Sequence, residues 1–359
     1  MRSLVPTTLR GRAALAAAGV LLLAAGCRTR DPYASWTWYY NPEPGSSVAP
    51  HVQATPYSLA IFEGKDGQAA DWNALWNGVR WADIVIVGEQ HDDANAHEVQ
   101  RTIVEETFAA WPGSAVSLEM LERNEQPVVD AYLRGEITKE EFVERTKSAD
   151  WAGKGSWDVF YQPIIDAARD AHAPVIAANA PREYVRRART EGYAALRALP
   201  PDEAALISLP KDKPPDSYRE RFRQVMSGDG AHAISDEKLD ELLRSQRLWD
   251  ATMADSIVRA LKDAPSGGKV VHLVGQFHVE FDGGLVSEIQ KRDPWARILT
   301  ISVQKGEAYA LRPEDKGRAD LVVYGVDQAP KWRGFRAGTA DAAGTQAAEP
   351  EPPTWGFAY

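Results

Sequence analysis

The chain has 359 residues, of which 44% are hydrophobic and 26% are charged, and its formal net charge is -10. These fractions are those of an ordinary globular protein, and the 12 Trp, 12 Tyr and 9 Phe exclude a chain that is disordered throughout. The acidic balance is the opposite of the basic footprint of a nucleic-acid-binding protein, so no nucleic acid is expected as a partner. A single cysteine excludes an internal disulfide and a cysteine-rich metal cluster.

Residues 1–27 have the pattern of a secretion signal. Three arginines precede an apolar run over residues 13–25, which is too short to cross a bilayer, because a membrane-spanning helix needs ~20 residues. Small residues directly before Cys27 resemble the lipobox of bacterial lipoproteins, although Leu23 lies one place further from the cysteine than usual. The resemblance implies cleavage before Cys27 and lipidation of that residue. The alternative is a plain signal peptide with a chance cysteine.

Arg28 follows the expected lipidation site, and because an aspartate there often retains a lipoprotein in the inner membrane, this arginine favours the outer membrane of the cell envelope. Removing the signal takes away three arginines and no acidic residue. Attraction to anionic lipid is therefore not expected, and the anchor to the bilayer must be the lipid on Cys27.

The mature chain is expected to have three parts. Residues 28–55 contain prolines, glycine and aromatic residues and are interpreted as a tether, and residues 336–359 are predicted to be a disordered tail. Residues 56–335 between them form the predicted domain.

Short apolar runs alternate with amphipathic stretches along this domain. Strands are predicted over residues 84–87, 115–118, 174–178, 269–274, 297–303 and 319–324, and helices over residues 94–110, 159–172, 235–262 and 283–291. This alternation predicts an α/β fold, with a mainly parallel sheet flanked by helices. The stretches 121–155 and 182–262 lack strand patterns and are predicted to be helical insertions that form a small cap subdomain.

Polar residues follow four of the predicted strands. The clusters are Gly88, Glu89, Gln90, His91 and Asp92; Glu119 and Met120; Asn179 and Pro181; and Gly275, Gln276, Phe277 and His278. Ligands of open α/β sheets bind at the carboxyl ends of the strands, so a parallel sheet would bring the four clusters to one edge. The spacing Gly-x-x-His occurs twice, in the first cluster and in the last.

Carboxylate and imidazole groups at this edge suit a divalent metal or general acid–base chemistry. The candidate catalytic residues are Glu89, His91, Glu119 and His278, the candidate metal ligands are Glu89, His91 and His278, and the residues expected to support them are Asp92, Asn179, Asp250 and Gln276. Asp250 lies on a predicted helix, where burial without a partner would be costly.

Each of these residues also has a purely structural interpretation. His91 could cap the helix that follows it, Glu119 could accept hydrogen bonds from backbone amides at a strand end, and Asn179 could be a turn residue. His97 lies six residues after His91, which is well off the same helical face, so His97 is interpreted as a helix-surface residue.

Several ordered segments of the domain resemble one known family. They are Val87 to Asp92 with His97 and Gln100; Ser117 to Met120 with Gln126; Trp157 to Pro163; Ala178 to Pro181; Gln246 to Ala254; and Leu273 to Val279. On these segments the chain resembles the ChaN-like haem-binding lipoproteins of the broader Tiki/TraB and erythromycin-esterase superfamily. It departs from the family at Asp93, where asparagine is frequent, and at Ala96, where a second histidine often precedes His97.

The resemblance implies an α/β domain with a small helical domain, a lipid anchor, and haem bound at a homodimer interface with a tyrosine on the iron. A role in iron acquisition would add an outer-membrane haem or iron receptor as a partner. The tyrosines considered are Tyr161, Tyr184, Tyr193 and Tyr218. Tyr218 is the first choice, because it lies in a polar stretch over residues 211–223 that a helical cap could expose, with arginines that could pair with haem propionates.

Two functions follow from these patterns. The first is that of a membrane-anchored lipoprotein that binds haem in iron acquisition. The alternative is an ester or peptide hydrolase, in which Glu89 or Glu119 is the general base while His91 and His278 hold a divalent metal or orient water. The two functions do not exclude each other.

The lipid anchor gives a direct prediction. Cells grown with labelled palmitate should incorporate label into the wild-type protein, and the Cys27→Ala variant should lose that label, because the lipid attaches to the Cys27 thiol and to the amino group freed beside it. Equal labelling of the two proteins would contradict the lipoprotein interpretation.

Overall fold

One eight-stranded sheet organises the part of the chain that this computed structural model describes, residues 55–227 and 234–325. The predicted signal with Cys27, almost all of the predicted tether and the predicted tail lie outside the described residues. No helix within the described ranges is long and apolar enough to cross a membrane.

The strands are β1 (Ala60–Glu63), β2 (Ala69–Ala70), β3 (Ile84–Glu89), β4 (Ala115–Glu122), β5 (Val175–Asn179), β6 (Val270–Gly275), β7 (Ile298–Lys305) and β8 (Leu321–Gly325). Their order in the sheet is β2-β1-β8-β7-β3-β6-β4-β5. The six strands from β3 to β8 pair in parallel, while β1 and β2 pair antiparallel at one edge. The predicted α/β class and all six predicted strands are confirmed, and β1 and β2 are additions.

The helices are α1 (Trp72–Trp81), α2 (Ala94–Ala110), α3 (Gln126–Leu133), α4 (Lys139–Thr146), α5 (Gln162–Asp170), α6 (Arg182–Glu191), α7 (Tyr193–Arg197), α8 (Pro201–Ala204), α9 (Asp216–Ser227), α10 (Asp236–Asp263) and α11 (Gly284–Arg292). A π-helical turn, Trp157–Tyr161, leads into α5. The stretch predicted as helical over residues 121–155 contains α3 and α4, and that over residues 182–262 contains α6 to α9 and nearly all of α10.

Alternating residues of the central strands fill two separate cores. Val85 and Val87 of β3 pack into the core under α1, α2 and α5, whereas Ile84 and Ile86 pack into the core under α10 and α11. All six residues of β3 are buried, as expected for a parallel strand with helices on both faces. Burying a Val or Ile side chain stabilises a fold by roughly 1.5–3 kcal/mol, so β3 is a strongly fixed base for the residues at its end.

The pairing of β3 with β6 sets the geometry of the strand ends. Their register places Gly88 opposite Val274 and Glu89 opposite Gly275. The first and last of the predicted polar clusters therefore begin side by side, although they are almost 190 residues apart in sequence.

Helix α10 crosses this end of the sheet and is fixed to it by Arg123, which follows β4. The Arg123 guanidinium donates to Ser256 Oγ at 2.9 Å, to the Thr252 carbonyl at 2.9 Å and to Asp255 at 2.7 Å. Because Arg123 is nearly buried, these charge-assisted bonds hold the helix in one position. That position brings Asp250, one turn earlier on α10, against the strand ends.

Candidate functional site

A large cavity opens at the carboxyl ends of β3, β4, β5 and β6. Its volume is about 1180 Å³, and residues from all four predicted polar clusters line it. Small-molecule pockets usually measure ~300–1,000 Å³, so this cavity can hold a ligand larger than a typical metabolite. The parallel strands thus bring the clusters to one edge.

Glu89 is buried at the end of β3 and is surrounded by donors. Its Oε1 accepts hydrogen bonds from the Tyr161 hydroxyl at 2.7 Å and from His91 Nδ1 at 2.9 Å, and its Oε2 lies 3.1 Å from His97 Nδ1. Burial alone would raise the pKa of Glu89, but the charge of His97 and the hydrogen bonds from His91 and Tyr161 outweigh it and lower the pKa. Glu89 is therefore an ionised carboxylate at neutral pH.

His97 is part of this arrangement, and the prediction that it lies on the helix surface is wrong. It is 4% exposed, its ring stacks on Phe160 at 4.0 Å, and its Nε2 lies 3.1 Å from the carbonyl oxygen of His91. A helical rotation between His91 and His97 has meaning only if the two residues share a helix. Helix α2 begins at Ala94, however, so His91 lies outside it and the chain folds back over His97.

His91 and His278 both line the cavity, and His91 is the more exposed of the two. Its side chain is 35% exposed, its ring meets Trp151 edge-on at 4.7 Å, and its Nδ1 is held by Glu89. A Cβ atom on Gly275 would lie 2.9 Å from Cε1 and 3.1 Å from Nε2 of this ring, so any other residue there would force the ring to shift. His91 does not cap the following helix, because the Asp93 side chain does so by accepting from the Asn95 amide.

A second carboxylate–imidazole group lies across the strand ends. Glu119 Oε2 accepts from the Gly275 amide at 2.6 Å, and Glu119 Oε1 lies 3.4 Å from His278 Nε2. The other ring nitrogen of His278 donates to Asp250 Oδ1 at 2.6 Å. Asp250 Oδ2 accepts from the Tyr218 hydroxyl at 2.6 Å. Glu119 thus makes the expected structural bond to a backbone amide and also faces a histidine.

The two carboxylates keep His278 protonated. Burial alone would lower its pKa, but the charges of Glu119 and Asp250 raise the pKa of His278 to about 10. Burial acts against the charged form of Glu119 as well, yet His278 and the Gly275 amide lower the pKa of Glu119 to about 2. With a proton on each ring nitrogen, His278 can donate hydrogen bonds but presents no lone pair to a metal.

The remaining predicted supporting residues occupy different positions. Asn179 donates to the Glu119 carbonyl at 2.9 Å and accepts from the Ala180 amide at 2.9 Å, so it fixes the backbone that carries Glu119. Asp92 pairs with Lys305 at 2.6 Å on the cavity wall. Gln276 also lines the cavity and accepts from Gln304 at 3.2 Å.

The prediction that a helical cap exposes Tyr218 is wrong. Tyr218 is 3% exposed, because α9 packs it and Phe222 against three leucines of α10. Burial and the neighbouring Asp250 carboxylate raise the pKa of Tyr218 well above its ordinary value, which disfavours the tyrosinate form that binds iron. Tyr161, Tyr184 and Tyr193 also engage their hydroxyls, with Glu89, Glu203 and the Arg244 carbonyl respectively.

Within residues 55–227 and 234–325, no group of three or more His, Cys, Asp or Glu side chains is arranged to hold a metal ion. The predicted ligands Glu89, His91 and His278 lie near one another, but Glu89 and His278 direct their polar atoms at protein partners. The set therefore does not form the predicted metal site.

Sequence reasoning missed three contacts. Tyr161 had been considered only as a packed aromatic or an iron ligand, whereas it donates to Glu89. His97 also lies beside Glu89. The side-chain amide nitrogen of Gln246 lies 3.0 Å from His278 Nδ1. All three residues occur in the segments that carry the family resemblance, which was the one signal available for them.

The chain is similar to several solved structures, and a TM-score above 0.5 with one of them shows a shared fold. A ChaN of Campylobacter jejuni, described as showing cofacial haem binding, is 19% identical, with a TM-score of 0.55 over 74% of this chain and 96% of that chain. The type III effector HopBA1 is 12% identical, with a TM-score of 0.42 over 76% and 98%. A mutant of the erythromycin esterase EreC in its open conformation is 13% identical, with a TM-score of 0.39 over 73% and 82%.

Residues 75–289, more than half of the chain, match the family described as "Haem-binding uptake, Tiki superfamily, ChaN". The chain belongs to this family, as the resemblance implied. No curated protein matches the sequence.

The buried charges predict how stability depends on pH. Because the folded-state pKa of His278 is raised to about 10, the stability that its proton provides is complete below pH ~6.5 and is lost as the pH rises toward 10. Urea denaturation at pH 6.5, 8 and 9.5 should therefore show a steeper fall in the free energy of unfolding for the wild type than for His278→Gln. Parallel pH profiles for the two proteins would show that His278 is not protonated in the fold.

Proposed function

We propose that the protein binds haem in the cavity at the strand ends. The observation that carries the proposal is the cavity itself, which measures about 1180 Å³ and has walls that include the rings of Trp151, Trp249, Phe222 and Phe277. A flat, largely apolar ligand of this size needs such walls, since aromatic faces bury its surface without leaving polar groups unpaired. The family description, and the cofacial haem binding described for the Campylobacter jejuni ChaN, point to the same ligand.

Residues of the cavity suit both the iron of haem and its two propionates. His91 donates from Nδ1 to Glu89, so Nε2 is the atom of this ring that would bind iron. Burial disfavours the charged ring, but the hydrogen bond and the charge of Glu89 raise the pKa of His91, so iron would compete with a proton for Nε2. A carboxylate behind a ligating histidine is the usual arrangement in metal proteins, because it fixes the ring and raises its basicity. Haem iron, when bound, supplies coordination positions for such a donor. Arginine and lysine side chains of the wall suit the propionates.

We propose a role in haem uptake at the cell envelope, with the protein held in the bilayer by lipidated Cys27. The sequence pattern of residues 1–27 supports this location, and the family description supports uptake. The palmitate experiment on Cys27→Ala tests the location separately from haem binding.

Haemin titration of the chain that begins after Cys27 tests the binding proposal. The wild type should give a saturable Soret shift. His91→Ala should bind haemin at least about tenfold more weakly, because it removes the donor that Glu89 orients. His172→Ala is the matched control, since His172 is exposed and lies outside the cavity lining. A non-saturating titration of the wild type would overturn the proposal, and equal affinity of the two variants would remove His91 as the ligand.

Hydrolysis is the second candidate function, and one observation favours it. Two imidazole–carboxylate groups, Glu89 with His91 and Glu119 with His278, meet at Gly275 beside the cavity. The first can take a proton from water through His91, with Glu89 stabilising the charge that develops on the ring. The protonated His278 can donate a hydrogen bond to an oxygen that becomes negative. This chemistry requires no metal.

Ester hydrolysis should depend on Glu89 if this second function is real. On a panel of nitrophenyl esters, Glu89→Gln should lower kcat/KM by about 10²-fold or more, because the amide cannot stabilise a protonated His91. Glu136→Gln is the control, since Glu136 is exposed and pairs with Arg134 on the surface. Wild-type protein without turnover, or a Glu89→Gln variant as fast as the control, would exclude the hydrolase.

A further inference from the structure

The outer wall of the cavity carries a group of cations that has no role in the contacts described so far. Arg145 and Lys147 lie at the end of α4, and Arg186 lies on the second turn of α6, and all three are exposed and line the cavity. Among the described residues, no carboxylate oxygen forms an ion pair with the nitrogens of these three side chains, although the charges of Arg186 and Lys147 act on Glu122 and Glu125. The other two cations of the lining are paired, Arg182 with Glu122 at 3.4 Å and Lys305 with Asp92 at 2.6 Å.

The surroundings of the three cations favour a negative ligand further. Ala180, Pro181 and Arg182 also line the cavity, so the positive end of the α6 dipole lies at this wall. Glu122 and Glu125 are the carboxyl groups beside these cations. Burial raises the pKa of Glu125 to about 7 and also raises the pKa of Glu122, so these groups offset less of the positive charge than fully ionised carboxylates would. In a chain of net charge -10, unpaired cations around one cavity attract anions to that cavity.

The residues that line the cavity thus differ in burial and in charge. Of the residues that line the cavity, Glu89 is buried, His91, Trp151 and Trp249 are half-buried, and the three cations are exposed and so mark its mouth. We infer that Arg145, Lys147 and Arg186 form an anion-binding site that recognises the carboxylate end of an amphipathic ligand. The inference rests on the proposed haem-binding function, for which it assigns the two propionates to this mouth and thereby orients the porphyrin.

A structural role for two of these cations has to be measured separately. Positive charge at a helix C-terminus stabilises the helix, and Arg145 and Lys147 lie at that end of α4. The melting temperature of each variant reports this role, whereas only ligand affinity reports anion recognition.

The experiment compares three probes: haemin, metal-free protoporphyrin IX and the neutral dimethyl ester of protoporphyrin IX. The variant is Arg145→Gln/Lys147→Gln/Arg186→Gln. The control is Arg134→Gln/Lys139→Gln/Lys262→Gln, which removes the same charge from exposed or half-buried positions outside the cavity lining. The free acid contains no iron, so its binding isolates the carboxylates from any ligation by His91.

The wild type and the control should bind the diacid about tenfold more tightly than the diester, as expected for a few exposed charge-assisted pairs. The variant should bind the two forms equally and should lose about tenfold in haemin affinity. The preference of the wild type for the diacid should also shrink as salt is added.

Two results would overturn the inference, and they are distinguishable. If the wild type saturates with haemin but binds diester and diacid equally, or if the variant keeps the preference, the anion site is wrong while haem binding stands. If haemin does not saturate the wild type at all, the proposed function and the inference fall together.

Discussion

The site depends on the burial of two ionised carboxylates at the ends of neighbouring strands. A buried carboxylate is unfavourable unless donors surround it, and most of the polar contacts at this edge of the sheet meet that requirement. Glu89 accepts hydrogen bonds from Tyr161 and His91 and lies close to His97. Glu119 accepts a hydrogen bond from the Gly275 amide and lies close to His278. These groups come from the segment after β3, α2, the turn before α5, the end of β6 and the segment after β6. The site therefore forms only when these elements have come together.

The two histidines of the Gly-x-x-His segments differ in the number of carboxylates beside them. His278 lies between two carboxylates and retains both protons, whereas His91 has one carboxylate on one nitrogen and the cavity on its other side. The shared Gly-x-x-His spacing thus produces one histidine held between two carboxylates and one held by a single carboxylate at the cavity. The proposed haem binding and the proposed hydrolysis would both begin at His91.

Much of the fold could be predicted from the sequence, because buried parallel strands read as short apolar runs and α2 has a clear pattern that begins after Asp93. The four polar clusters could be placed together for the same reason. The short edge strands β1 and β2 could not, since four and two residues give too little pattern. Tyr218 and His97 were misplaced because their burial is decided by helices packed from distant parts of the chain, and helical periodicity contains no information about those contacts.

Because Glu89 pairs with Gly275, the site forms only in the correct register of β3 and β6. A slip of one residue between β3 and β6 would reverse the side chains of the slipped strand relative to the two cores, and it would place Val274 or Gln276 opposite Glu89. Either side chain would occupy the space that the His91 ring needs beside Gly275. A misregistered chain would therefore displace His91 from Glu89 and the Gly275 amide from Glu119, and the electrostatic cost of losing these donors would favour its return to the native pairing.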